Sequence, residues 1–173
     1  AINDHNNERK SIDREITFEA INMVKNSPGF ANKKSTIVYN PQWHKGVVGI
    51  VASRLVEAFY RPTIVLTQSN GFITGSARSI TGFDLYAAIE HCSEYLENFG
   101  GHMYAAGLTM KEENLEAFCT KFEDYVVSKI TDELLVPLVN IDSYLDFKQI
   151  TPKFFRLLKQ FQPFGPGNQS PVF

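Results

Sequence analysis

Cysteine is scarce in this chain, with two in 173 residues. Cys92 and Cys119 both stand at apolar positions of helical patterns without metal-ligand spacing, which excludes a disulfide framework and predicts buried, reduced thiols in a cytoplasmic protein. No apolar run approaches the roughly 20 residues of a membrane-spanning helix, so no membrane partner is expected. Charge of one sign is not in excess either: 17 Lys and Arg face 19 Asp and Glu, a formal net charge of -2. A global basic field that attracts nucleic acid is therefore missing, and any phosphate contact has to be local. A Walker loop and a Gly-x-Gly-x-x-Gly run are also absent, which leaves nucleoside triphosphate and dinucleotide binding without support. Asp4-His5 is an isolated pair. Nowhere else do Asp and His cluster into the carboxylate-rich shell of a two-metal phosphoesterase, so no metal ligand is expected in this chain.

The composition itself is that of a folded protein: 43% of residues are hydrophobic, with 14 Phe and 7 Tyr, enough to build a core and to exclude a disordered tail. The N-terminus is polar from its third residue and does not read as a signal peptide. The missing initiator Met and the apolar end at Ser170-Pro171-Val172-Phe173 predict a piece of something longer.

Hydrophobic periodicity organises the chain as α/β. Ile12, Ile16, Ala20 and Met23 or Val24 predict an amphipathic helix from Asn3 to about Asn26, with the charges of Glu8 to Glu15 on a solvated face and Ser27-Pro28-Gly29 as its stop. Ser35 to Tyr39 predicts a strand, Gly46 to Tyr60 a helix and Pro62 to Thr67 a second strand, the order of a βαβ unit. Asn70-Gly71 is a hairpin signal that returns Phe72 to Arg78 antiparallel, so the sheet should be mixed and flanked by helices. Leu85, Ile89, Cys92 and Leu96 predict one helix over Asp84 to Phe99, closed by Gly100-Gly101 before a strand at Ala105 to Met110. Lys111 to Ile130 carries Leu115, Phe118, Phe122 and Val126 at helical spacing. Beyond it, the alternation in Leu138 to Phe147 predicts a strand and Thr151-Pro152 opens a last helix. Pro163 to Asn168 is then a turn-rich loop.

Three clusters join small residues to phosphate-binding side chains: Trp43-His44-Lys45-Gly46, Gly75-Ser76-Ala77-Arg78-Ser79 and Gly100-Gly101-His102. Backbone N–H groups freed by glycine, an Arg fork, Ser hydroxyls and an imidazole are all donors for phosphate oxygens. Each cluster also has a plainer reading. Trp43 and His44 can simply cap a core, Arg78 can pair with Asp84, and a glycine pair can be no more than a helix stop. His91 reads as a solvated residue of an acidic helix.

Read in order, these segments resemble the RecJ family of single-strand-specific DNA exonucleases, in the DHH phosphoesterase superfamily. The resemblance rests on Asn7-Glu8-Arg9-Lys10, on Trp43 to Leu55, on Gly75 to Ser79, on Phe99 to His102 with Ala105-Ala106-Gly107, and on Pro163-Phe164-Gly165-Pro166-Gly167-Asn168. It implies a connector helix over residues 1–34, a DHH-associated (DHHA1) substrate-binding domain over 35–133 and the start of a truncated OB-fold over 134–173. It implies further that His102 and Arg78 act on the substrate phosphate in catalysis, and that Trp43, His44, Ser76, Ser79, Gly100 and Gly101 join them in binding single-stranded DNA. The Mn2+ or Mg2+ of such an enzyme would be held by the Asp-His-His half, which this chain lacks, so the fragment alone is expected to be inactive. Two other readings stay open: an oligoribonucleotide or cyclic dinucleotide phosphodiesterase of the same superfamily, and a nucleic-acid-binding module without hydrolytic activity.

Overall fold

The computed structural model describes residues 2–165 and 167–173, with side chains from residue 9 onward. Ala1, Pro166 of the turn-rich loop and the side chains of Asp4, His5, Asn7 and Glu8 lie outside the described residues. The chain divides into two compact units, Ala1–Val136 and Pro137–Phe173.

The first unit is built on a five-stranded sheet in the order β1-β2-β3-β5-β4. Its strands are β1 (Thr36–Tyr39), β2 (Thr63–Ser69), β3 (Phe72–Arg78), β4 (Asn98–His102) and β5 (Ala105–Met110). Only β1 and β2 are parallel, joined through helix α2 (Val48–Phe59). The remaining pairs are antiparallel. Side chains alternate across a strand, and β2 shows this directly. Ile64 and Leu66 enter one core with Ile73, Ala77, Leu108, Met110 and Phe118, whereas Val65 enters a second core with Val38, Val51 and Leu55.

The first core lies beneath α3 (Leu85–Glu90) and α4 (Leu115–Lys129), which contribute Leu85, Ile89, Phe118, Phe122 and Val126. The second is covered by α2 and by α1 (Ile2–Asn26), whose Ile16, Ala20 and Val24 recur one helical turn apart. Asp13 does not face solvent as the charge pattern suggests. It is buried between the two helices, where it meets Arg54 of α2 at 2.6 Å and accepts a hydrogen bond from Thr17 at 3.4 Å. Glu123 of α4 ties that helix to the sheet by accepting from the Lys34 N–H at 2.7 Å, the Ser35 N–H at 3.0 Å and the Ser35 hydroxyl. No helix among the described residues is long and apolar enough to cross a membrane.

Two sequence expectations are overturned. The predicted helix over Asp84 to Phe99 stops at Glu90, passes through a 3-10 turn at Ser93–Tyr95 and becomes β4, so Gly100 and Gly101 sit inside a strand and do not end a helix. The 3-10 turn still buries Cys92, and pairing with β5 supplies the hydrogen bonds that local propensity does not. The strand predicted over Leu138 to Phe147 does not form. The second unit instead holds α5 (Pro152–Lys159), capped by the Thr151 hydroxyl, with Phe154 packed on Phe173 at 5.5 Å and Asp142 bonded to Val172. In the Pro163 to Asn168 loop, the Asn168 amide donates to the carbonyls of Phe161 and Pro163.

Candidate phosphate-binding face

Register brings two of the three clusters together. Across β3, β5 and β4, Arg78 stands opposite Ala105 and Ala105 opposite His102; the next row on the same face is Ser76, Gly107 and Gly100. Arg78 and His102 are therefore two strand spacings apart, about 10 Å. Only alanine and glycine lie between them. The helices α1 and α2 cover this face over β1 to β3, but Gly100, His102 and Gly107 are exposed. The result is a shallow trough with a donor on each rim.

The two glycines of β4 have different causes. Gly101 adopts a φ of 151°, and a Cβ there would lie 2.3 Å from the Ala105 carbonyl oxygen and 2.5 Å from the Ala106 Cα. Only glycine fits. A Cβ on Gly100 would meet nothing within 4 Å, so packing does not require glycine there, and its effect is to keep the trough open.

On one rim, the Arg78 guanidinium donates to the Ser76 hydroxyl at 2.9 Å and to the Ala77 carbonyl at 2.8 Å. It does not pair with Asp84, whose carboxylate caps α3 by accepting from the Ala87 N–H at 3.0 Å. Indeed no carboxylate among the described residues forms an ion pair with Arg78. Burial pushes its pKa below the usual arginine value, a shift that starts so high that the group stays cationic at neutral pH. A Cβ on Gly49 would lie 3.0 Å from Arg78 Nη2 and 3.2 Å from Ser76 Oγ, so this glycine lets the guanidinium rest against the first turn of α2. That turn has no side-chain cap. A cation at the positive end of a helix is unfavourable until an anion joins it.

On the other rim, His102 Nδ1 accepts the Tyr104 N–H at 3.2 Å. The neutral imidazole is thereby held as the Nε2–H tautomer, with that donor directed away from the turn. The turn is itself fastened: the Ser79 N–H donates to the Tyr104 carbonyl at 3.0 Å and the Leu85 N–H to the Met103 carbonyl at 3.1 Å. Ser79 spends its hydroxyl on the Phe83 carbonyl at 2.7 Å, so its bonds position the rim.

The remaining cluster is placed differently. Trp43 is only 4% exposed, with its indole N–H donated to Glu19 at 2.9 Å, and belongs to the second core. His44 folds onto its own loop, its Nδ1 accepting the Gly46 N–H at 3.1 Å. Gly46 and Gly49 do line a groove of about 530 Å³ that runs from Arg78 along α2, past Ser53, Arg54 and Glu57, with Arg9 on its α1 side. Neither His44 nor Trp43 lines it. Sequence reasoning missed Gly49 and Arg54 as part of this surface; the three- and four-residue steps of Gly46, Gly49, Ser53 and Glu57 along one stripe leading into α2, with Arg54 beside it, were the available signal. His91, read as solvated, is exposed and lies against the Tyr125 ring at 4.8 Å. Among the described residues, no three or more His, Cys, Asp or Glu side chains gather where they can hold a metal ion.

Two known domain families match this chain. The DHHA1 domain family matches residues 32–128 and the RecJ OB domain family residues 141–173. The single-stranded-DNA-specific exonuclease RecJ of Bacillus subtilis is 36% identical over 98% of this chain and 22% of its own length. That of Escherichia coli is 32% identical over 97% of this chain and 30% of its own. The chain thus spans less than a third of the length of these relatives. Among solved structures, RecJ from Thermus thermophilus in complex with Mg2+ superposes with a TM-score of 0.81 at 30% identity, over 97% of this chain and 25% of that one. The Mn2+ complex of the same protein gives 0.82 at 30% identity, over 97% and 24%. On the match of the DHHA1 family to more than half its residues, and of RecJ relatives along almost all of it, the chain belongs to the RecJ family and carries its DHHA1 domain.

Proposed function

We propose that this chain is the substrate-binding half of a cytoplasmic, metal-dependent exonuclease that removes nucleotides from the 5′ end of single-stranded DNA during repair and recombination. One observation carries the reading: the open row Arg78, Ala105, His102, which offers two phosphate donors on either side of a surface without bulky side chains. In hydrolysis of a phosphodiester, negative charge grows on the non-bridging oxygens. Arg78 and the His102 Nε2–H are fixed before that charge appears, so they stabilise the transition state without reorganising. Ser76 holds Arg78 in place, Gly100 and Gly107 admit the strand, and Ser79 secures the rim. Trp43 supports the wall from its core, and His44 extends the polar surface at the start of α2. The divalent ion seen in the RecJ complexes with Mg2+ and Mn2+ is assigned to the half of the enzyme that the resemblance places outside this chain, and the isolated chain to an inactive half. Helix α1 serves as the connector to that other part. The oligonucleotide and cyclic dinucleotide reading would use the same row; the RecJ OB sequence after residue 141 favours the DNA exonuclease. The two free cysteines, Cys92 and Cys119, suit a reducing compartment.

Release of nucleotides from 3′-labelled single-stranded DNA by the full-length protein with Mn2+ tests the proposal. Arg78→Ala and His102→Ala are each expected to lower turnover roughly 100-fold while circular dichroism stays unchanged, and the 173-residue chain alone to release nothing. Full turnover in both variants, Mn2+-dependent cleavage by the isolated chain, or binding without cleavage by the full-length protein each overturns it.

A further inference from the structure

We infer that Tyr104 is a stacking platform for the nucleobase beside the phosphate held by His102 and Arg78, an inference that rests on the phosphate-binding reading above. Register pairs His102 with Ala105, which leaves Met103 and Tyr104 as the two-residue turn between β4 and β5. Small polar residues and glycine are the usual choice in such a turn. Here the backbone of the tyrosine is fully employed, its N–H donated to His102 Nδ1 and its carbonyl accepting from Ser79. The residue, however, is 52% exposed, and its ring enters neither core. It stands edge-on to the imidazole, with centroids 6.2 Å apart and planes at 69°. An aromatic ring on an immobilised backbone, next to a phosphate donor, is how proteins hold single strands: the base stacks on the ring while its phosphate meets the donor. Because every base has a π face, the contact is indifferent to sequence, as an enzyme that works along a strand requires. Phe18 and Phe72 are the other aromatic side chains of the first unit that are clearly exposed. Neither adjoins the row, since Phe18 is on α1 and Phe72 stands opposite Ser69 at the far end of β3.

The test removes the ring and the base separately in the full-length enzyme. Tyr104→Ala is expected to raise KM about 10-fold with kcat nearly unchanged, while Tyr104→Phe, which keeps the stacking face, stays within about 2-fold of wild type. An abasic site scanned along the 5′-terminal nucleotides should cost the wild-type enzyme a similar factor at one position. On that substrate, Tyr104→Ala should cost nothing more. An unchanged KM in Tyr104→Ala, or the same fractional loss on intact and abasic strands, overturns the stacking role. Those results would leave the phosphate-binding reading in place if Arg78→Ala and His102→Ala still lower turnover roughly 100-fold, whereas full activity in these two variants defeats both.

Discussion

The two faces of the β5–β4 edge carry opposite chemistry on the same ten or so residues. One face sends Phe99, Ala106, Leu108 and Met110 into the first core, under α3 and α4. The other carries Asn98, Gly100, His102, Ala105, Gly107 and Thr109, with Asn98, Gly100, His102 and Gly107 exposed to solvent. A sheet edge that is apolar on one side and made of small or polar residues on the other gains its stability from the covered face alone. The open face is then free to be flat, which the proposed contact with a phosphodiester backbone needs and a core does not. Stability and activity should consequently separate cleanly under mutation.

The largest effect is expected on the covered side. Phe118 is fully buried and stacked on Phe122 at 5.9 Å, and Phe118→Ala should lower unfolding free energy by about 3–5 kcal/mol. Urea titration of this chain would measure the loss, and in the full-length protein the molecules that remain folded should keep wild-type kcat. A folded variant with reduced kcat would mean that the faces are coupled. The glycine pair within β4 sharpens the comparison over a single step of chain. Gly101→Ala drives a Cβ into backbone atoms at a φ that suits glycine and should cost about 3 kcal/mol. Gly100→Ala should leave the melting temperature where it is, or raise it by removing freedom from the unfolded chain. Its new Cβ stands in the trough, so turnover of the full-length enzyme should fall about 10-fold. Equal stability losses in the two variants would show that the trough has been misread.

Much of this division was legible before the structure. The β1-α2-β2 unit, the Asn70-Gly71 hairpin and the helix bearing Phe118 and Phe122 follow from periodicity, because each element buries a face that its own spacing defines. The candidate site was legible only as separate segments: Ser76, Arg78, Gly100 and His102 stand out in the sequence, but their alignment in rows depends on a strand register that no local pattern encodes. The hidden step was β4. Leu85, Ile89, Cys92 and Leu96 keep a helical period through a segment that is helical only to Glu90, since a 3-10 turn buries Cys92 just as well. The Leu138 to Phe147 alternation fails for the converse reason. Its period is that of a strand, yet no neighbouring strand pairs with it among the described residues, and Ile141 and Tyr144 stay exposed.

The smallest effect concerns reactivity on the covered side. Cys92 is a potential nucleophile enclosed in the first core, and Cys119 packs against it from α4. Burial pushes both thiols from the ordinary 9.0 up to about 11. A folded state that holds a proton more tightly than the unfolded chain gains stability that is complete below pH 9 and disappears as the pH climbs towards 11. Urea midpoints should therefore be level from pH 7 to 9 and decline above that range. At pH 8 the native protein should resist iodoacetamide, while the urea-unfolded chain reacts at both cysteines, because the attacking species is the thiolate. Rapid alkylation of native Cys92 would mean that the first core opens on the timescale of the reagent. The rigid backing that holds His102 in line with Arg78 would then be lost, and the flat face would no longer be independent of what lies beneath it.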